Sequence, residues 1–333
     1  MMKGRLFVSF AALAVAANSA SGQIDTQRCP ATTNAQRISQ DACQKAIDLF
    51  AYLAPQLATT VAGGNATLGM AGSLGGLGHF SAGLRVNALQ GSLPQVQNVT
   101  LQTSGATNSP PIDTKTQFFP MPTAELAIGI FKGLPLAITN VGGVDLLVSA
   151  AYLPEFNSSG VSVKVPNGSL KLGYGARVGI LQESLLVPGV SVSYVRRDLP
   201  TVNIAANSGS DSLYVNNFSL KTTAWRAVAS KGLLLFGLAA GIGQDKYESS
   251  TDISAHVAAR ALTPAANAGP VPLAQNITRT NVFADLSLNL LLFKLTGEIG
   301  QVSGGTINTY NTFSGTQAAD SRIYGSVGAR FGF

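Results

Sequence analysis

Apolar and polar residues alternate along most of the chain, and the C-terminal stretch shows the pattern most clearly. One face of 322–333 carries Ile323, Gly325, Val327, Ala329, Phe331 and Phe333. The other face carries Arg322, Tyr324, Ser326, Gly328, Arg330 and Gly332. A period of two residues is typical of a β-strand with one apolar and one polar side. The same alternation predicts about ten strands, at 77–90, 121–132, 143–153, 168–182, 188–198, 215–229, 232–248, 276–290, 294–303 and 321–333.

The connections between these predicted strands alternate between long and short. The long ones are 91–120, 154–167, 199–214, 249–275 and 304–320, and the short ones are 133–142, 183–187, 230–231 and 291–293. This parity is typical of an antiparallel barrel with an even number of strands, in which all the long loops lie at one end. Two further short strands, at Val161–Val165 and Asp252–Ala258, would raise the number from ten to twelve.

The final strand ends on Phe333, with Phe331 and Tyr324 before it. In this it resembles the bacterial outer-membrane β-barrels, whose last strand usually ends in Phe. The resemblance implies that these three residues form the signal read by the barrel assembly machinery. It also implies an all-β membrane barrel of antiparallel strands in the bacterial outer membrane, in contact with outer-membrane lipid and lipopolysaccharide. A solvent-facing edge strand is the alternative interpretation of the same pattern.

The composition agrees with a membrane barrel. Charged residues make up only 11% of the chain, and the mean hydropathy is +0.25, whereas soluble domains contain about 25% charged residues. Outside the N-terminus no apolar run approaches the ~18 residues of a membrane helix. The net charge of +6 comes without a basic cluster, so we expect no nucleic-acid partner.

The residues 1–22 have the order of a secretory signal peptide. Lys3 and Arg5 precede an apolar stretch, and the small residues Ala20, Ser21 and Gly22 follow it. The mature chain is therefore expected to be exported.

Export gives a meaning to Cys29 and Cys43, the only two cysteines of the chain. An oxidising compartment favours a disulfide bond between them. Closing a loop of about fifteen residues stabilises the fold by up to ~3 kcal/mol in the chain-entropy model. A metal site is not expected, because two thiols without a nearby His supply too few ligands.

An amphipathic helix is predicted to begin between the two cysteines, with Ser39 as its N-cap and its end at Gly63. Its apolar positions recur at helical spacing and are Ile47, Phe50, Tyr52, Leu53 and Leu57. We expect this short helix to belong to a periplasmic segment, residues 23–76, that precedes the barrel at 77–333. The segment rests either at the periplasmic mouth or in the interior, and it either plugs the lumen or forms a helical cap.

A segment of this kind before a barrel resembles the layout of the long-chain fatty-acid transporter family, whose N-terminal region plugs the lumen. The resemblance covers only the layout and the terminal Phe, so no site residues are carried over from that family.

Charged residues within the predicted strands are expected to face the lumen, because Arg or Lys facing the lipid midplane costs about 2–4 kcal/mol. The lumen-lining candidates are Arg85, Glu125, Asp145, Lys171, Arg177, Asp285, Glu298 and Arg330, with Lys294 and Arg322 on the same face. They form either a packed polar core or the lining of a small permeation path or ligand pocket. Arg196 and Arg197, near the outer end of their strand, belong either to a solvated rim or to a contact with lipopolysaccharide phosphates.

Hydrolytic chemistry finds little support, since neither His79 nor His256 has a nucleophile or an orienting group marked nearby. We therefore predict no enzymatic activity, no cofactor and no metal. Two functions remain open. The first is a narrow channel or transporter for small or hydrophobic solutes, with a hydrophobic small molecule as its ligand. The second is a closed structural or adhesive barrel that acts through its long extracellular loops.

Overall fold

The computed structural model describes residues 22–136, 138–158, 161–259, 265–290 and 292–332. One long helix, α1, spans Asn34–Ala62 and is followed by the strands. Ten of these strands have their bounds at β1 Phe80–Pro94, β2 Thr114–Phe131, β3 Gly143–Tyr152, β4 Leu170–Leu181, β5 Gly189–Asp198, β6 Asp211–Leu233, β7 Phe236–Val257, β8 Ala266–Leu290, β9 Phe293–Ser303 and β10 Arg322–Gly332.

These ten strands form a closed antiparallel ring. Each strand pairs with the next one along the chain, and β1 closes the ring by pairing with β10 from Ser81–Gly332 to Leu89–Tyr324. A closed ring satisfies the backbone hydrogen bonds of every strand and leaves no open sheet edge. The predicted all-β barrel of about ten antiparallel strands is confirmed.

The two further strands that the sequence left open do not raise the number of strands in the ring from ten to twelve. Val161–Lys164 does form a strand, but it pairs with Val202–Ser208 on one side and with Phe156–Ser158 on the other. Val202–Ser208 in turn pairs with β6, so these three strands extend the sheet sideways beyond the ring. The region around Asp252–Ala258 is the far end of β7. The long loop predicted at 249–275 is wrong for the same reason, because β7 and β8 stay paired as far as Val257 and Ala266.

Long and short connections segregate to opposite ends of the ring, which we name the loop end and the turn end. Four short connections lie at the turn end, and one of them contains the hairpin of Leu134–Leu136 with Thr139–Val141. Residues 77–79, which lead into β1, lie at this end too. In outer-membrane barrels short turns face the periplasm and long loops face outward.

The strands alternate between an apolar outer surface and a polar lumen. On β7 the outward Phe236, Leu238 and Ile242 are more than half exposed, whereas the inward Asp245 and Tyr247 are buried. Toward the loop end the outward side chains become polar. Four exposed aromatic side chains lie near this border, and they are Tyr152, Tyr174, Tyr194 and Trp225. An apolar band with an aromatic border on a closed ring identifies a transmembrane β-barrel of the bacterial outer membrane.

Helix α1 lies inside the ring and packs against both of its sides, contacting β1 and β2 as well as β6, β7 and β8. The predicted N-cap Ser39 is wrong, since the N-cap is Thr33, six residues earlier. Gln36 Oε1 accepts a hydrogen bond from the backbone N–H of Thr33 there. The end at Gly63 is confirmed, and its φ of 62° is a conformation that suits glycine. Within the described residues no helix is long and apolar enough to cross a membrane.

Pro55 lies inside α1 and has no N–H to pair with the carbonyl of Ala51, four residues earlier. Gln275, on the wall strand β8, donates its side-chain N–H to that carbonyl at 3.4 Å. The barrel therefore supplies the hydrogen bond that the helix cannot make for itself.

After α1 the chain continues through the lumen as an irregular stretch, residues 63–76, which we name the exit segment. Near its end Ser73 exchanges hydrogen bonds with Gln182, in the short connection between β4 and β5. The N-terminal part of α1 instead contacts long connections, and Gly22 donates its N–H to the carbonyl of Thr309. The chain thus crosses the barrel once, from the loop end to the turn end, before it enters β1.

Candidate functional site

The C-terminal end of α1 is held by cationic side chains of the barrel wall. The last four carbonyls of a helix have no partner within it and carry the negative end of its dipole. Arg226 donates to the carbonyls of Gly64 and Gly63, both at 2.9 Å. Arg197 donates to the carbonyl of Ala62 at 2.6 Å and Arg85 to that of Asn65 at 2.7 Å. Three arginines from different parts of the ring therefore converge on the last carbonyl of α1 and the first three carbonyls of the exit segment.

Carboxylates keep these arginines in place. Glu125 forms ion pairs with both Arg85 and Arg197. Asp245 lies 2.5 Å from Arg226 as an ion pair. The side-chain amide of Asn281 also donates to the carbonyl of Gly63, at 3.0 Å. All these groups except Glu125 are fully buried, which makes their mutual pairing necessary for stability.

Asn65 is the residue through which the exit segment meets the opposite wall. Its backbone N–H donates to Glu298 at 2.6 Å, and its side-chain amide donates to Asp285 at 2.7 Å. The Gly69 N–H also donates to Asp285, at 2.8 Å. Asp285 and Glu298 are direct cross-strand partners on β8 and β9. Donors from the exit segment thus lie against a pair of like charges.

Nearer the turn end, the N–H of Leu74 donates to the carboxylate of Asp145, whose other partner is Arg177 at 2.7 Å. Lys294 donates to the carbonyl of Gly69 at 3.2 Å. The wall therefore holds the exit segment mainly through its backbone rather than through its side chains.

At the loop end two long connections are fastened to α1. Asp41, which pairs with Lys45, accepts the N–H groups of Gln102 and Thr107 in the connection between β1 and β2. Asp48 accepts the N–H of Asn311, in the connection between β9 and β10, at 2.8 Å. Burial raises the pKa of Asp48 above its ordinary value, and the hydrogen bonds that Asp48 accepts offset only part of this rise.

Apolar packing dominates this half of the lumen. Phe50 meets Phe218 of β6 edge-on, with ring centroids 6.3 Å apart. Tyr52 stacks on Phe313 with ring centroids 3.9 Å apart. The small helix residues that face the wall are Ala46, Ala54, Ala58 and Ala62. Small side chains let the helix approach the wall closely. The predicted disulfide between Cys29 and Cys43 is confirmed, with an S–S distance of 1.97 Å, and it links residues 22–33 to α1.

A cavity of about 380 Å³ lies at the loop end between α1, the connection after β1 and the projecting ends of β6 and β7. Its apolar lining includes Leu49, Val96, Val99, Leu101, Val161, Leu213 and Val257. Lys45 also lines it, but its ammonium group is occupied by Asp41 and by the carbonyl of Thr100. This volume and lining are those of a site for a small ligand.

The structure places most of the predicted lumen-lining residues inside the barrel. Buried there are Arg85, Asp145, Arg177, Asp285, Glu298 and Arg330, with Glu125 partly exposed. Lys171 shares their strand parity but is exposed near the loop end of β4. Tyr324 faces the lumen and donates to Asn281, and Phe331 lies 5.5 Å from Phe293 between ring centroids. Phe333 and residues 1–21 of the signal peptide predicted at 1–22 lie outside the described residues.

The sequence analysis missed Arg226 and Asp245 and placed Arg197 in a pair with Arg196 at the rim. Arg197 is buried, whereas Arg196 points outward, is partly exposed and pairs with Asp198. The signal was present, because charges in the middle of a membrane strand are expected to face inward. That Arg197 and Arg226 bind backbone carbonyls at the end of α1 could not be predicted from the sequence, since it depends on where α1 ends in space.

No protein-family model matches the sequence, and neither does any curated protein. Solved structures similar in fold include the translocator domain of the autotransporter NalP from Neisseria meningitidis, with 11% identity, a TM-score of 0.32 and coverage of 76% of this chain and 87% of that one. Ail, the attachment invasion locus protein of Yersinia pestis, has 10% identity, a TM-score of 0.23 and coverage of 77% and 99%. The Ralstonia pickettii toluene transporter TbuX has 12% identity, a TM-score of 0.28 and coverage of 83% and 93%. These likenesses are distant, and the fold assignment rests on the ring of strands itself.

Proposed function

We propose that the protein is a plugged outer-membrane transporter that takes up small, neutral, apolar solutes at its loop end. The observation that carries this proposal is the cavity of about 380 Å³ lined mainly by aliphatic side chains. A cavity of this size accommodates a small ligand. Of the charged residues in its lining, Lys45 is paired with Asp41, and Asp211 accepts the N–H of Ala258, so a neutral solute is favoured over a charged one.

The cavity shares a wall with the element that fills the lumen. Helix α1 contributes Ala42, Lys45, Ala46 and Leu49, which follow helical spacing along one face. A solute in the cavity therefore touches the plug directly, and its binding energy can shift α1 relative to the ring. Passage requires such a shift, because α1 and the exit segment occupy the lumen in the closed arrangement.

A binding experiment on the purified full chain tests the first step. We expect the apolar fluorophore N-phenyl-1-naphthylamine to bind the wild type with enhanced emission. The substitution Val99→Arg places a charge in the cavity lining and should reduce binding at least about tenfold, a loss of about 1.4 kcal/mol. Asn98→Arg adds the same charge at an exposed neighbour outside the lining and is the matched control.

Equal binding by the wild type and Val99→Arg would contradict the proposed site. Uptake of the same fluorophore into proteoliposomes then separates transport from binding. Uptake that Val99→Arg abolishes and Asn98→Arg preserves supports a transporter, whereas binding without uptake contradicts the transport step.

A second candidate function, surface attachment, is favoured by the sheet at the loop end. There β6, β7 and β8 project past the ring and are joined by the three short strands that extend β6 sideways. Replacing residues 153–169 with a four-residue turn removes the outer two of these strands. Val161 also lines the cavity, so fluorophore uptake is not a readout for this variant. Loss of cell attachment here, with attachment unchanged in Val99→Arg, would support this function, and unchanged attachment would contradict it.

A further inference from the structure

A small cavity of about 10 Å³ lies between the barrel wall and the exit segment. The wall contributes Arg330 and Arg197 to its lining, and the exit segment contributes Thr67. About 10–15 Å³ is the space that one water-sized particle needs. The cavity therefore accepts a single small particle and excludes polyatomic anions such as phosphate or a carboxylate.

Arg330 is a buried cation without a carboxylate partner. Its side chain makes one hydrogen bond, from Nη2 to the sulfur of Met70 at 3.3 Å, and among the described residues it forms no ion pair. Its Nε and Nη1 have no hydrogen-bond partner in the described part of the chain, although the residue is only 8% exposed. A buried charge that lacks compensation costs several kcal/mol.

The surrounding charges leave this cation uncompensated. Glu125 is the one carboxylate in the lining of the cavity among the described residues, and it is already shared by Arg85 and Arg197. The other carboxylate that acts on Arg330, Asp285, already accepts the side-chain amide of Asn65 and the N–H of Gly69. Arg197 Nε and Thr67 Oγ1 are further buried groups without a partner in the described structure. Positive charge and unpaired donors therefore meet at one cavity.

Gly83 makes this arrangement possible. It is the cross-strand partner of Arg330, and a Cβ at this position would lie 2.6 Å from Arg330 Cγ. Because glycine has no side chain, the arginine can lie along the wall beside the cavity that both residues line.

We propose that this cavity binds a monatomic anion, chloride, held by Arg330 and Arg197 from the wall and by Thr67 from the exit segment. A water molecule fits the same space, but it leaves the excess positive charge uncompensated. Chloride compensates the charge and accepts hydrogen bonds from the unpaired donors. Since its ligands come from both the wall and the exit segment, bound chloride stabilises the plugged arrangement.

Thermal unfolding of the purified full chain in detergent tests the proposal. The unfolding midpoint of the wild type should rise with sodium chloride relative to sodium gluconate at equal ionic strength, because gluconate is too large for the cavity. In Arg330→Met the two salts should give the same midpoint. Arg196→Met removes an outward, partly exposed arginine paired with Asp198 and should keep the full chloride dependence.

If Arg330→Met fails to fold, Thr67→Val, which keeps the shape but loses the hydroxyl group, should still shift the chloride dependence to higher concentrations. Bromide substituted for chloride should give an anomalous scattering peak beside Arg330 in crystals of the wild type. A wild-type midpoint that is equal in chloride and gluconate would overturn the proposal. So would a scattering peak absent from the cavity, which would make its occupant a water molecule.

Discussion

The two halves of the lumen hold the N-terminal part of the chain by different interactions. At the loop end, α1 is held by apolar packing of residues such as Phe50 and Tyr52 against the wall and the long connections. Below the helix, the exit segment is held by charged side chains that bind its backbone, with Arg226 and Asp285 as the main examples. Packing is non-directional and tolerates small shifts, whereas hydrogen bonds require defined positions.

This difference predicts that the loop-end half contributes mainly to stability and the charged half mainly to closure of the lumen. Loss of apolar contacts at the loop end lowers the stability of the helix but leaves its lower end anchored. Loss of charged contacts around residues 63–69 leaves buried carbonyls and carboxylates unpaired, which is more costly and frees the segment that closes the lumen. Stability and closure should therefore be separable by substitution.

The largest effect is expected from Gly64→Val. A Cβ on Gly64 would lie 2.4 Å from Glu298 Oε2 and 2.5 Å from the hydroxyl oxygen of Tyr324. Valine would displace the carboxylate of Glu298 from the N–H of Asn65. It would also displace the hydroxyl group of Tyr324 from Asn281. Because this loosens the exit segment from the wall, we expect steady ion conductance in a planar bilayer where the wild type is silent. A variant that stays silent would contradict the assignment of closure to the charged contacts around residues 63–69.

Gly297→Val is the matched control for that experiment. Gly297 lies on the outer surface, and a Cβ there would meet nothing within 4 Å. This control should insert and remain silent, which separates a displaced plug from a general disturbance by valine.

The next effect in size is expected from Arg226→Met. The substitution removes two hydrogen bonds to the start of the exit segment and leaves Asp245 buried without its cation, at a cost of about 4 kcal/mol in the free energy of unfolding. Intermittent conductance should accompany this loss. Adding Asp245→Asn removes the unpaired charge, so the double variant should recover part of the stability in a thermal unfolding assay.

Phe50→Ala tests whether apolar packing at the loop end contributes to stability without contributing to closure. Removing a buried aromatic side chain from the packed half should cost about 3 kcal/mol in the free energy of unfolding. The exit segment keeps all its contacts, so the bilayer should remain silent. Phe118→Ala, on the outer surface of β2, should change neither property. Conductance in Phe50→Ala would show that closure does depend on packing.

The smallest effect is expected from Gln36→Ala at the exposed start of α1. Gln36 Oε1 accepts the N–H groups of Thr32 and Thr33, and loss of such a cap typically costs about 1 kcal/mol or less. The unfolding midpoint should fall slightly, and the conductance should stay at zero. A larger loss of stability would mean that the helix depends on its own start more than on the barrel.

Local patterns were sufficient to predict the ring. Alternation along β1, β4 and β10 depends on neighbouring residues only, and the parity of loop lengths fixed the antiparallel order. The Thr33-x-x-Gln36 spacing also marks a helix start, which the choice of Ser39 overlooked. These features are carried by short stretches of sequence.

What the sequence analysis could not supply depends on contacts between distant stretches. Arg226 and Gly63 are far apart in the chain, and nothing local indicates that the one binds the carbonyl of the other. The ends of β7 and β8 were predicted as loop because their Ser, Thr, Asn and Pro residues are typical of turns. Their pairing beyond the membrane is a tertiary effect that overrides local preference.

The path of the chain through the lumen also constrains the order of assembly. The first barrel strand and the last one pair with each other, so this contact joins residues near opposite ends of the chain and is expected to form late. Helix α1 precedes β1 and already lies between the walls that this contact closes. The ring must therefore close around the helix, which makes the plug a core on which the barrel is completed. In this order of assembly the stretch from Gly22 to α1 stays at the loop end, and β10 ends at the turn end.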